Sequence, residues 1–233
     1  MMMNFLKWVV VIFFFGNSYA QETAVEVLDK AIAYHDPNGN WETFHDTFQV
    51  TMTTPKSPKR VSDITINIPQ EYFSVTAIRD TLQTRYTVNK GVCDTNIPEA
   101  KQQGARTPCE TAELYKNYYT YLYGLPMKLK DPGTNLSPTV ENVSFKGKEY
   151  LRLKATYDEA VGSDVWFFYF NPTTYAMEVY QFFKGDPKGA GKDTGEYILL
   201  SEESTVNGIK MPKVRAWYYN KGDTYLGTDT ITN

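Results

Sequence analysis

The chain has only two histidines. Both fall in one segment, YHDPNGNWETFHD, and each is followed by an aspartate, giving His35-Asp36 and His45-Asp46. Imidazole nitrogens and carboxylate oxygens are ligands that zinc accepts, so two such pairs folded back on each other would hold a metal ion or activate a water. The same segment contains Pro37, Asn38 and Gly39 and reads as a helix end, a turn and a strand start. In such places Asp and Asn side chains satisfy backbone N–H groups. Turn chemistry is therefore the favoured reading: no metal, no cofactor and no catalytic residue is assigned. A metal-dependent or other hydrolase using His35, Asp36, His45 and Asp46 stands as the alternative.

Other constellations lead less far. No G-x-S-x-G elbow accompanies the histidines, so a serine nucleophile has no platform. GDPKGAGKDTG, from Gly185 to Gly195, has the look of a phosphate loop, but Ala190 stands where a glycine is needed and a strand rather than a helix follows. It reads as a flexible hairpin tip. Glu196, Glu202 and Glu203 lie in or beside a strand, and nothing in the sequence pairs them as acid and base. The two cysteines, Cys93 and Cys109, bracket a polar stretch and have no neighbouring histidine. In an exported chain such a pair is expected to form a disulfide rather than a catalytic thiol.

Export is expected from the N-terminus. MMMNFLKWVVVIFFFGNSYA has one positive charge at Lys7, an apolar run from Trp8 to Phe15, and small or weakly polar residues ending at Ala20. That is the pattern of a signal peptide cut near Ala20, and the apolar run is too short to span a bilayer. Gln21, not Cys, follows the expected cut, so no lipid anchor is predicted there and no integral membrane segment remains. The formal net charge of −3 becomes more negative when Lys7 leaves, and there is no basic run. Nucleic acid is not an expected partner. The rest, 21–233, has a length that one all-β domain fills, without a linker or internal repeat.

Two helices must sit among strands. ETAVEVLDKAIAYHD places Val25, Leu28 and Ile32 at helical spacing, flanked by Ala24, Ala31 and Tyr34. TPCETAELYKNYYTYLYG starts with a capping box, Thr107 and Glu110, carries Pro108 in its first turn and stops at Gly124. Its apolar line is predicted through Leu114, Tyr118, Tyr121, Leu122 and Leu125. Elsewhere, segments of alternating polarity recur at intervals of about ten residues, the cadence of an antiparallel meander. The expected architecture is mainly β with helices: a strongly curved antiparallel sheet, or open β-barrel, of about ten strands with two main helices across its concave side.

One hairpin stands out. In DVWFFYFNPTTYAMEVYQFF, strand alternation puts Trp166, Phe168 and Phe170 on one face and Val165, Phe167 and Tyr169 on the other. In its second strand, Ala176, Tyr180 and Phe182 oppose Met177, Val179 and Phe183. Both faces are apolar, so both need cover. Concave sites lined by aromatic and aliphatic side chains bind apolar ligands. Trp166, Phe168 and Phe170 are the expected inner wall, with Tyr118, Tyr121 and Leu122 of the second helix facing them.

YTYLYGLPMKLKDPGT, VWFFYFNPTTYAMEVYQFF, GEYILL, NGIKMPKVRAWYYN and YLGTD together resemble an uncharacterised family of secreted bacterial proteins, a domain of unknown function, over nearly the whole mature chain. The order of helix, strands, helix and long meander is similar to the LolA and LolB lipoprotein-carrier superfamily. That resemblance implies an open β-barrel closed by helices that holds acyl chains inside. It implies a non-enzymatic periplasmic or secreted carrier or sensor of a lipid, acyl chain or other apolar small molecule. A structural accessory protein without a cavity is the third possibility.

Overall fold

The structure, a computed structural model, describes residues 22–98 and 105–232. The expected leader and its cut at Ala20 lie outside these residues. Helix α1 (Ala24–His35) is followed by strands β1 (His45–Thr54), β2 (Ser57–Asn67), β3 (Tyr72–Arg79), β4 (Leu82–Asn89) and β5 (Val92–Asn96), then helix α2 (Pro108–Tyr123). Eight strands complete the chain: β6 (Thr134–Leu136), β7 (Glu141–Phe145), β8 (Lys148–Tyr157), β9 (Val165–Phe170), β10 (Met177–Phe183), β11 (Glu196–Val206), β12 (Ile209–Tyr219) and β13 (Tyr225–Ile231). The thirteen strands of the described residues form one curved antiparallel sheet that does not close into a barrel. Its order is β5-β4-β3-β2-β1-β13-β12-β11-β10-β9-β8-β6, with β7 also paired to β8.

The strand count exceeds the expected ten because β5 and β6 were too short to read. β5 spans five mostly polar residues and β6 three, below the length at which alternation can be recognised. Both main helices form where expected, because their start signals are complete. Thr23 with Glu26, and Thr107 with Glu110, each build a reciprocal capping box, which satisfies backbone donors that a helix cannot bond internally. The faces they bury differ from expectation. On α1, Val27 is fully buried while Val25 is 59% exposed, so the inward stripe is Ala24, Val27, Leu28, Ala31 and His35.

The aromatic hairpin is covered twice. A bulge in β10 between Met177 and Val179 turns Met177 inward, so Met177, Tyr180 and Phe182 join Trp166, Phe168 and Phe170 in the main core under the helices. The opposite face forms a second, smaller cluster of Phe167, Tyr169, Val179 and Tyr150, packed by Phe145, Val143, Phe183 and Leu199. Neither a helix nor a partner is needed there. The Phe145 ring lies 5.0 Å from Tyr169 and 5.5 Å from Tyr197, and the Arg152 guanidinium lies over the Phe167 ring at 4.7 Å, combining apolar cover with a cation–π contact. Each fully buried aromatic or aliphatic side chain adds about 1.5 to 3 kcal/mol, so the hairpin is among the most strongly anchored segments of the sheet.

Cys93, on β5, is joined to Cys109, in the first turn of α2, with Cα atoms 5.6 Å apart. The bond therefore ties the entrance of α2 to the sheet edge. Replacing both cysteines by Ser is expected to lower stability by roughly 3 kcal/mol, the loop-closure value for a separation of 16 residues, while leaving the sheet intact. Denaturant titration of the two proteins measures the difference, and titration of the unfolded, unreduced parent should find no free thiol.

Candidate functional site

The four residues with metal-ligand chemistry do not converge. His35 is 2% exposed and serves as a clip. Its Nδ1 lies 2.6 Å from the Lys210 carbonyl oxygen, and its Nε2 accepts a hydrogen bond from the Met177 backbone N–H at 2.9 Å. The imidazole is thus neutral, with its proton on Nδ1. It fastens the end of α1 to β10 and β12. Asp36 accepts from the backbone N–H groups of Asn40 and Trp41 at 2.8 and 2.9 Å, which orders the turn leading into β1. His45 contacts the Thr43 carbonyl oxygen, and Asp46 accepts from the Thr47 N–H; both are exposed. Among the described residues no group of three or more His, Cys, Asp or Glu is placed to hold a metal ion.

The distinctive concavity lies under α2. Its helix is apolar over two adjacent stripes that do different things. One stripe packs on the sheet: Tyr115 against Tyr86 at 5.1 Å, Tyr119 against Phe73 at 6.2 Å and Tyr123 against Phe48 at 4.8 Å, with Ala112 and Leu122 buried beside them. The predicted line is the neighbouring stripe, and it is only partly packed: Leu114 is 44% and Tyr118 37% exposed. Together with Tyr121 and Leu122, these residues line a cavity of about 1400 Å³ that opens to solvent. Opposite stand Trp166, Phe182 and Trp217. The Tyr118 ring stacks near Trp217 at 6.3 Å, Tyr121 meets Trp166 edge-on at 5.4 Å, and Trp166 stacks on Phe182 at 4.9 Å.

Of the six side chains expected at a ligand cavity, Trp166, Tyr118, Tyr121 and Leu122 border this space. Phe168 and Phe170 share the inner face of β9 but are fully buried, one and two alternations deeper than Trp166. Trp217 and Phe182 were not singled out. The signal for Trp217 was its place in the alternating run of β12, which a count of aromatics per segment passes over.

Polar and charged side chains also border the space, Arg106, Lys116 and Lys128 among the cations and Glu71, Asp131, Asp164 and Glu196 among the carboxylates. Tyr121 and Tyr157 join hydroxyl to hydroxyl, and burial pushes the Tyr157 phenol up to about 12. Asp164 and Glu196 border the cavity, and burial raises both carboxyls above their usual range, against the pull of Lys184. Deeper in, Trp217 Nε1 donates to Asp229 Oδ2 at 3.1 Å. Chemically, rings and aliphatic edges make up most of the exposed wall, an environment that accommodates an apolar body.

The model of a family of unknown function, DUF6503, matches residues 4–233. No curated protein matches the chain. Among solved structures, a LolA superfamily protein from Nitrosomonas europaea is similar over 91% of this chain and 93% of that one, at 11% identity and a TM-score of 0.53. A DUF1329 family protein from Desulfovibrio piger covers 90% of this chain and 91% of its own at 8% identity, with a TM-score of 0.42. The likeness to the first is one of fold.

The His35 clip has a pH signature. Burial, the largest influence, lowers its pKa below the ordinary 6.5. Between that lowered value and 6.5 the unfolded chain binds a proton that the folded chain refuses, so stability falls as the pH drops through this window and is fully present above it. Denaturant unfolding followed from about pH 7.5 to 5 should show this loss. His35→Ala should remove that component and cost about 1 to 3 kcal/mol at neutral pH, because the Met177 N–H is left without its acceptor.

Proposed function

We propose that this chain, which belongs to the family of unknown function DUF6503, is a non-enzymatic carrier or sensor that holds a lipid, an acyl chain or another apolar molecule under α2. The observation that carries the reading is the second apolar stripe of α2. Leu114, Tyr118 and Tyr121 face open space beside Trp166, Phe182 and Trp217, where a protein selected only for stability would fill the gap with side chains. The cavity exceeds the usual 300 to 1,000 Å³ of small-molecule sites, which suits a long flexible occupant. Trp166, Tyr118, Tyr121 and Leu122 would touch the ligand, with Phe168 and Phe170 as the rigid layer behind Trp166.

The protein works as a single domain, 21–233, in the periplasm or outside the cell after removal of a leader near Ala20. The Cys93–Cys109 bond fits an oxidising compartment. Among the described residues no helix is long and apolar enough to cross a membrane. The fold shared with a LolA superfamily protein supports the reading at the level of architecture.

Trp166 and Trp217 report occupancy directly, since both indoles border the space. An environment-sensitive apolar dye is expected to bind saturably, to alter tryptophan emission and to be displaced by fatty acid. Leu114→Trp would fill part of the cavity at a position already 44% exposed. It should weaken dye binding by roughly tenfold, about 1.4 kcal/mol, with little change in unfolding midpoint. Absence of saturable binding by the parent protein would remove the carrier reading.

A further inference from the structure

The inner wall beside the cavity contains charge that the apolar surroundings do not account for. Strand register sets Arg60 of β2 opposite Met52 of β1, Met52 opposite Asp229 of β13, and Asp229 opposite Arg215 of β12. With Arg79 of β3 opposite Arg60, the row holds three guanidiniums and one carboxylate. Arg215 is 1% exposed and Asp229 8%. A buried ion is tolerated when paired and fully hydrogen-bonded. Here the pairing is incomplete in number, three cations against one anion along the row, and in bonding. Among the described residues, Arg60 Nε, Arg215 Nε and Asp229 Oδ1 have no hydrogen-bond partner. Arg215 donates from Nη1 to the Pro212 carbonyl oxygen at 2.7 Å and lies 3.9 Å over the Tyr123 ring, and Arg60 donates from Nη2 to the Tyr119 hydroxyl at 3.2 Å.

The row lies directly behind the cavity wall. Trp217, which borders the cavity, holds Asp229 through its Nε1. Tyr118, stacked beside Trp217, is the other ring between the two regions. Burial first, and then the Asp229 carboxylate, raises its phenol above the ordinary range. Arg106, Lys116 and Lys128 border the cavity itself, whereas Arg60 and Arg215 stand one layer behind Tyr118 and Trp217 and, unlike a solvated surface cation, have buried donors to spare. Guanidinium presents several N–H groups in a fixed fork that suits a carboxylate or phosphate.

We infer that the ligand of the cavity is an anionic amphiphile whose tail lies along Tyr118, Tyr121, Trp166 and Trp217 and whose head group is received by Arg60 and Arg215. The head group adds a second negative charge to the row and occupies the free Nε donors. Asp229, held by Trp217, sets how close that head group can come and leaves room for one anion rather than two.

The inference rests on the apolar-cavity reading, and a ligand series of constant tail length separates the two. Laurate, methyl laurate and dodecyltrimethylammonium are titrated into the full protein below their micelle concentrations and followed by Trp166 and Trp217 emission. Laurate is expected to bind at least tenfold more tightly than its methyl ester, about 1.4 kcal/mol. In Arg60→Gln laurate should weaken toward the ester while the ester itself is unchanged. Arg60 is the more accessible of the two arginines, and Arg215→Lys, which keeps the charge but loses the fork, gives a second variant should the first unfold. Equal binding of laurate and ester to the parent protein overturns the anion site and leaves the cavity reading standing. Tightest binding of dodecyltrimethylammonium also overturns it, pointing instead to Asp164 and Glu196 at the rim. If none of the three binds, both readings fall.

Discussion

The pairing of the first strand with the last governs this structure. β1 and β13 lie side by side in antiparallel register, Val50 opposite Ile231 through Thr53 opposite Thr228, so the N-terminal meander β1 to β5 and the C-terminal meander β6 to β13 become one sheet joined in its middle. The two strands nearest in sequence to the connection, β5 and β6, are thereby sent to opposite ends. The chain between them has to travel from one edge to the other. Connections do not thread through a sheet, and the concave side carries the apolar residues, so the connecting segment crosses there. α2 is the result: a helix held at its start by the Cys93–Cys109 bond near one edge and leading, past Leu129, to β6 at the other.

That crossing explains why α2 is apolar over a wider arc than packing requires. A helix bridging the mouth of a half-barrel can press only one side on the sheet. Tyr115, Tyr119 and Tyr123 do so, ring against ring with Tyr86, Phe73 and Phe48. The next stripe looks toward the strands on the far side, and the curvature keeps it from reaching them fully. Tyr118 and Tyr121 contact Trp217 and Trp166, yet Leu114 and Tyr118 remain substantially exposed. Leaving such surface wet forgoes about 25 cal/mol for each Å², a cost that a ligand can recover.

Elements with long signals were legible in the sequence, and elements defined by neighbours were not. The capping box of Thr107 and Glu110 located the second helix, and apolar spacing from Val25 to Ile32 located the first, whose own box at Thr23 and Glu26 was not read. The alternation in β9 located the hairpin and its two apolar faces. What covers the outer face was not legible, because Phe145 and Arg152 reach Phe167 and Tyr169 only through pairings between β7, β8 and β9. The bulge in β10, which moves Met177 from one face to the other, is a single-residue event that a strict two-residue period cannot foresee. The stripe through Leu114, Tyr118 and Tyr121 was read correctly as apolar. The part of the helix that packs was the adjacent one, since a helix with apolar residues on nearly half its circumference gives no internal sign of which side meets the sheet. Arg60, Arg215 and Asp229 are scattered over three strands, and only the register sets them in one row.

The interior holds two buried polar arrangements, and their bonding distinguishes their roles. His35 has an acceptor in the Lys210 carbonyl and a donor in the Met177 N–H, so both ring nitrogens are used and the group has nothing left to offer a ligand. Asp36 is used in the same way by the Asn40 and Trp41 N–H groups. Their chemistry, the most suggestive in the sequence, is spent on holding α1 and the following turn against the sheet. The Arg60, Asp229 and Arg215 row is the reverse case. It is made of residues that no motif marks, yet it retains free donors and an unbalanced charge one layer behind the cavity wall, where Trp217 holds Asp229. Unsatisfied buried polar atoms are rare because each carries a desolvation cost, and folding alone would have replaced them with apolar side chains of similar volume. The proposed anionic occupant would account for their persistence, and on that reading residual bonding capacity, rather than residue type, is the guide to the site.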